Sequence, residues 1–183
     1  MLRALLLSAA LVGPGTPPAT PNAPKKPSVR LVPAPPKGGG PVALADSLVI
    51  EKKARRLTLY HLGRPMRSYQ VALGRQPVGD KLSAGDRRTP EGLFSIEDRN
   101  PNSRFHLSLR ISYPDAAHRA RAEALGVSPG GDIMIHGLPN GQGRIGAAHR
   151  AYDWTNGCVA LTDEEIEELW NTVPIGTPVE IKP

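Results

Sequence analysis

Residues 55–74 read RRLTLYHLGRPMRSYQVALG, and the apolar side chains recur at every second position: Leu57 and Leu59, with His61 continuing their row, oppose Thr58 and Tyr60. A period of two marks a strand with one buried face. Gly63-Arg64-Pro65 breaks the run where the chain must turn, so the stretch predicts two antiparallel strands joined tightly. The same alternation continues on both sides. SLVIEK precedes it from Ser47; EGLFSIED from Glu91, FHLSLRISY from Phe105, GDIMIHG from Gly131 and TPVEI from Thr177 follow it. Residues 79–88, rich in glycine and charge, read as a loop. Two segments have helical spacing instead. DAAHRARAEALG starts at Asp115 and stops at Gly126, while the other starts at Thr162, where Glu165 completes a capping box and Ile166, Leu169, Trp170 and Val173 form one apolar face. The expected fold is mainly β, a sandwich or barrel with two short peripheral helices and no strand-helix alternation of the parallel kind.

The rest of the 183 residues is organised around that block. Twenty prolines are more than a compact domain of this size usually holds. Many of them fall between Pro14 and Pro41, where proline, glycine and lysine leave no apolar period, so residues 16–46 read as a Pro-rich linker, either an extended spacer or a tail without a spacing role. Ahead of it, MLRALLLSAALV places Arg3 before a short apolar run, the length and polarity of a secretory signal rather than a membrane span. Residues 1–15 are therefore expected to be a signal peptide or an uncleaved N-terminal anchor, the absence of cysteine there arguing against lipidation. Residues 47–183 are expected to form the folded domain, outside the cytoplasm, in the periplasm or cell envelope. A net charge of +6 comes from scattered basic residues with no interleaved aromatics, which speaks against nucleic acid and suits an anionic envelope.

Only one cysteine is present, Cys158, so no intramolecular disulfide can form. A lone cysteine is commonly a small buried apolar residue. Its neighbours here suggest more. Residues 133–170, IMIHGLPNGQGRIGAAHRAYDWTNGCVALTDEEIEELW, hold a strand ending in His136-Gly137, a glycine-rich loop and then Thr155-Asn156-Gly157-Cys158. An imidazole near a thiol can take its proton, and a glycine before the cysteine lets the backbone turn so that adjacent amides can face one oxygen. That is the layout of an acyl-transfer site.

These residues resemble the L,D-transpeptidase (YkuD-type) catalytic domain, whose signature is a strand-borne His-Gly, a spacer, and Ser/Thr-His-Gly-Cys followed by a hydrophobic residue. The resemblance extends over most of residues 47–183, through RTPEGLF from Arg88, RNPNSRFHLSLRISYP from Arg99 and DWTNGC, and is similar to the subgroup with wall-lipoprotein-processing members. It implies an L,D-transpeptidase-type β-sandwich or barrel in which Cys158 is the nucleophile, His136 the general acid/base, and Gly157 a backbone contributor to the oxyanion site. Gly137, Thr155 and Asn156 are implied to shape substrate binding. The implied substrates are peptidoglycan stem peptides, with an envelope lipoprotein as a further candidate partner, and neither metal, organic cofactor nor integral membrane domain is implied. Two positions depart from the common pattern: Asn156 stands where many members have a second histidine, and Ala160 where they have arginine or asparagine.

Other assignments compete. His149 could act as base in place of His136, although its segment is loop-like; His61, His106 and His118 are expected on strand faces or the surface. Trp154 and Tyr152 are expected to pack the loop rather than stack on substrate. The acidic run from Asp163 offsets a helix dipole. In function, a hydrolase of the same family or a non-catalytic wall-binding domain remains beside the transpeptidase.

Overall fold

The computed structural model describes residues 43–183; the expected leader and most of the expected linker, residues 1–42, lie outside the described part. Eight strands run β1 Ser47–Glu51, β2 Arg56–His61, β3 Arg64–Gln70, β4 Gly92–Ser103, β5 His106–Ile111, β6 Met134–His136, β7 Val159–Ala160 and β8 Pro178–Lys182. They form one mixed sheet in the order β3-β2-β1-β8-β4-β5-β6-β7. The mainly β architecture is as the periodicity predicts, and register shows why. Leu59 pairs with Leu48, Leu48 with Val179, and Val179 with Phe94, so one row of apolar side chains crosses four strands on the buried face. Leu57, Ile50 and Ile181 make the next row, all buried. Each such side chain contributes about 1.5–3 kcal/mol of gross burial.

The sheet's two ends meet. Beyond β3 the chain bridges Ala72 to Ala160 and Gly74 to Thr155, with Ala72 N donating to Ala160 O at 3.1 Å and Ala160 N to Ala72 O at 2.8 Å. The sheet is thus curled over its core with its edge strands joined locally, which is the closed form of the sandwich-or-barrel expectation. Ala160 has no exposed surface.

Four features differ from the sequence reading. β1 and β8 are parallel, as are β6 and β7, the second pair being joined by a crossover through a helical segment. β4 continues for 12 residues through Pro101, accommodated by register shifts at Ile96/Asp98 and Asn100/Ser103. The β2-β3 turn is Leu62-Gly63, both at positive φ, with Arg64 and Pro65 already inside β3. The glycine-rich loop contains a 3-10 segment, Gly143–Ala151, kinked at Gly146.

Helices α1 (Ala116–Ala124) and α2 (Asp163–Thr172) fall where helical spacing places them. Asp115 caps α1; Thr162 and Glu165 form the full capping box on α2. Ile166, Leu169 and Val173 are buried against the sheet, while the Trp170 ring lies under the Arg99 guanidinium at 4.2 Å. No helix among the described residues is long and apolar enough to cross a membrane. Thr162→Ala removes the acceptor for the Glu165 amide, and should cost about 1 kcal/mol. Urea unfolding should show a lower midpoint at unchanged m-value; an unchanged midpoint would deny the cap any energetic part in seating α2.

Candidate active site

Cys158 sits at the end of a turn that its own neighbours hold. Thr155 is buried; its hydroxyl donates to the Cys158 carbonyl at 2.7 Å and accepts the Gly157 amide at 3.1 Å. Gly157 lies at φ +127°, where a Cβ would come within 2.7 Å of the Arg88 carbonyl oxygen, so no side chain fits. Thr155 therefore fixes the turn from below rather than lining the cleft, and Gly157 spends its amide on Thr155. The segment is also tied back to β3. Asp153 accepts the Leu73 amide at 2.9 Å through one oxygen and the Arg55 guanidinium at 2.9 Å through the other.

His136 closes β6 and is buried, with its ring 4.4 Å from Phe105 and 5.8 Å from Trp154. Its Nδ1 lies 2.7 Å from the Gly137 carbonyl. A carbonyl can only accept, so Nδ1 carries the proton and, in the neutral ring, Nε2 holds the lone pair. Burial lowers the pKa from 6.5 to about 4; the Gly137 bond opposes this in part and the nearby His149 adds to it. The imidazole is thus neutral at physiological pH, with the basic nitrogen opposite its anchor. Gly137 serves as that anchor and as packing: a Cβ there would lie 2.8 Å from Asp163 Oδ1 and 2.9 Å from Ile166 Cγ2.

Register relates the two groups. β6 and β7 pair Ile135 with Val159 and His136 with Ala160. Alternation then puts Met134, His136, Ala160 and, one position before β7, Cys158 on a common face, with Ile135 and Val159 directed to the core. The thiol contacts the Asp132 carbonyl at 3.6 Å. It is partly exposed, yet its crowded surroundings raise its pKa; the Met134 backbone and Lys81 oppose the rise and Asp132 adds to it. Both shifts favour the uncharged forms, thiol and imidazole.

Cys158 opens on a cleft of about 510 Å³ that Asn156, Lys81, Arg87, Gly130 and Asp132 also line. The wall from residues 80–91 is set by buried charge, which composition alone does not reveal. Asp86 receives Lys81 Nζ at 2.7 Å and the amides of Leu82, Ser83 and Arg88; these hold its carboxyl below the ordinary range although burial alone would raise it. Asp80 similarly takes the Glu91 amide, Arg121 and His118. Lys52, buried, donates to Gly79 O, Thr89 O and Glu91. Sequence reading marked residues 79–88 only as a loop; the acidic residues beside lysine and glycine were the available signal.

The remaining histidines have structural partners. His118 bridges Asp115 and Asp80, and His106 bonds Glu167 at 2.7 Å. His149 is buried in the 3-10 segment and accepts the Trp154 indole N–H at 3.3 Å through Nδ1, on a separate hollow of about 170 Å³ that does not include Cys158. Trp154 packs as expected, against Phe105; Tyr152 instead stands exposed on that hollow. A further hollow at Lys53, Arg55 and Pro77 contains neither thiol nor imidazole. Among the described residues, no group of three or more His, Cys, Asp or Glu side chains is placed to hold a metal.

The model of the YkuD L,D-transpeptidase catalytic domain matches residues 45–181. "Putative L,D-transpeptidase YafK" of Escherichia coli (strain K12) is 29% identical over 131 residues, 68% of this chain and 45% of that protein, and "Putative L,D-transpeptidase YqjB" of Bacillus subtilis (strain 168) is 26% identical over 147 residues, 80% and 76% of the two chains. This chain thus spans less than half the length of YafK. Among solved structures, the helical cell shape determining protein Pgp2 (K307A mutant) of Campylobacter jejuni superposes with a TM-score of 0.58 at 21% identity, over 78% of this chain and 49% of that one. An L,D-transpeptidase of Mycobacterium smegmatis gives 0.50 at 14%, over 76% and 59%. These structures share the fold. With its family model covering residues 45–181, through every strand of the sheet but the last residue of β8, the chain belongs to the YkuD family of L,D-transpeptidase catalytic domains.

Proposed function

We propose that this chain is a cysteine acyltransferase acting on peptidoglycan stem peptides. The observation that carries the proposal is the tautomer of His136, which leaves a basic Nε2 on the strand face it shares with Cys158. Cys158 Sγ turns from the Asp132 carbonyl toward His136, gives Nε2 its proton as it attacks the carbonyl on the L-centre of the third stem residue, and forms the S–C bond. Because the Gly157 amide is engaged by Thr155, the developing oxyanion falls to the Cys158 amide, with Gly157 supplying the backbone turn that aims it. The C–N bond to the terminal D-alanine breaks as Nε2 returns the proton to the departing amine. A thioester remains. An acceptor amine then takes the acyl group, with His136 removing its proton and restoring the thiol; attack by water gives the hydrolase outcome instead. Asn156, exposed on the cleft, contacts the stem, and Thr155 and Gly137 act through the groups they hold.

Such a substrate lies outside the cytoplasm, and the MLRALLLSAALV start supports export of the chain to the envelope. Attachment or release of a wall lipoprotein belongs to the same proposal as one choice of acceptor or donor. Mass analysis of products from tetrapeptide muropeptide separates the chemistries: a cross-linked dimer marks transfer, a shortened stem with free D-alanine marks hydrolysis. Absence of both, with no adduct on the protein, would leave a wall-binding domain.

Cys158→Ser should fold as the wild type and lose turnover by roughly 10³-fold or more, because a hydroxyl is far harder to deprotonate at this site. Intact-protein mass should show a stem-peptide adduct on the wild type only; equal turnover by the Ser variant would remove Cys158 from the mechanism. His136→Ala should cost on the order of 10²–10⁴-fold in kcat. His149→Ala, whose ring faces Trp154, should cost less than about tenfold, and equal losses would deny His136 its special place.

The resting protonation states give a pH signature. A base lowered from 6.5 to about 4 stays neutral as the pH falls through 6, so the acid limb of kcat/KM should lie well below that of an ordinary histidine. Alkylation of Cys158 by iodoacetamide should rise only above the ordinary thiol range, since its pKa is raised. A fast, pH-independent plateau near pH 5 would instead reveal a preformed ion pair and contradict the neutral resting state.

A further inference from the structure

Three charged side chains line the Cys158 cleft: Lys81, Arg87 and Asp132. Lys81 is buried and matched by Asp86 at 2.7 Å, so its charge is spent inside the protein. Asp132 is exposed and faces Arg110 at 3.9 Å. Arg87 is exposed on the rim and pairs with no carboxylate among the described residues. It is the free cation of the cleft.

Its placement goes against local preference. Arg87 sits at φ +60°, a left-handed conformation that glycine takes freely and other L residues resist. The surroundings enforce it. The Arg87 carbonyl accepts the Gln76 amide at 3.1 Å and presses on Gly74, where a Cβ would come within 2.2 Å of that oxygen. On the other side, Asp86 gathers the amides of Leu82, Ser83 and Arg88. Asp132, across the same cleft, is also at positive φ, +54°. Strained non-glycine residues held by a rigid frame point to use of their side chains. Glycine would satisfy the frame at Arg87 and leave the cleft without its cation.

Building on the acyl-transfer reading of Cys158, we infer that Arg87 is a specificity-determining residue whose guanidinium receives a carboxylate of the acyl donor. Two carboxylates of a tetrapeptide stem flank the bond to be cut: the terminal carboxylate of the leaving D-alanine and, where the third residue is diaminopimelate, its side-chain carboxylate. A planar guanidinium can take either through two parallel N–H bonds.

Binding tests this without requiring turnover. In a Cys158→Ala background, calorimetry with the free tetrapeptide stem is compared with two stems amidated at one carboxylate each. Arg87→Ala should weaken the free stem by about tenfold, and the parent should lose a similar factor on one amidated stem. On that stem Arg87→Ala should lose nothing further, which identifies the carboxylate read. Arg87→Lys should recover part of the affinity. Arg87→Gly should lose it while its melting temperature stays the same or rises, because the strain is relieved, so a folding defect cannot mimic the result. Equal affinity of parent and Arg87→Ala for the free stem, equal losses on all three stems, or no binding of the free stem by the parent would overturn the assignment. If Cys158 proved not to be the nucleophile, the wild-type chain would form no adduct while the dependence on Arg87 could still be measured, so the two failures are distinguishable.

Discussion

The site depends on the backbone seam between the end of β3 and the segment leading to β7. There Ala72 and Ala160 exchange hydrogen bonds, Thr155 donates to Leu73 O, and Arg75 donates to Thr155 O. Each group so paired is removed from water, and a buried amide without a partner costs on the order of 1–3 kcal/mol. The seam also demands small residues. Ala160 is fully buried, Gly74 has no room for a Cβ, and Gly157 stands 3.0 Å from the position such a Cβ would take. Close approach of three backbones thus locates Cys158 between β6 and the loop of residues 75–91, and the position of its thiol follows from the closure of the sheet.

Around that seam the protein separates two uses of charge. Beneath the surface, Lys52 and Lys81 are buried but multiply bonded to carboxylates and carbonyls, which organise the wall of the cleft. Removing one partner would leave an uncompensated buried charge, so these pairs act as rigid fasteners more than as sources of net stability. At Cys158 and His136 the opposite holds. His136 has no ionic partner in its ring contacts, and desolvation keeps it neutral; the thiol too is pushed toward its protonated form. A neutral pair avoids the cost of separating charge in the empty site.

The departures from the common family pattern fit this frame. Ala160 occupies the seam, where Ala72 meets it backbone to backbone, and it is buried. Asn156 remains on the open cleft, as a polar residue that does not titrate. Arg87, on the loop of residues 79–88, also lines that cleft.

Much of the fold was legible in residues 47–183 because its signals are local. Side chains alternating along Leu57 and Leu59 need only the pleat of one strand, and the Thr162-Glu165 capping box closes within one helical turn. The strand-borne His136-Gly137 and the Thr155-Asn156-Gly157-Cys158 turn were likewise visible as short strings, and so named the groups now placed on one face. Their chemistry was not. Which nitrogen of His136 bears the proton depends on the Gly137 carbonyl; whether the Gly157 amide is free depends on the Thr155 hydroxyl; whether the Lys81 charge is met depends on Asp86. The seam itself joins residues as distant as Leu73 and Asp153, 80 positions apart. Periodicity records what a residue's neighbours along the chain require. Desolvation, hydrogen-bond satisfaction and the meeting of strand edges depend on neighbours in space, and those were decided only when the sheet closed.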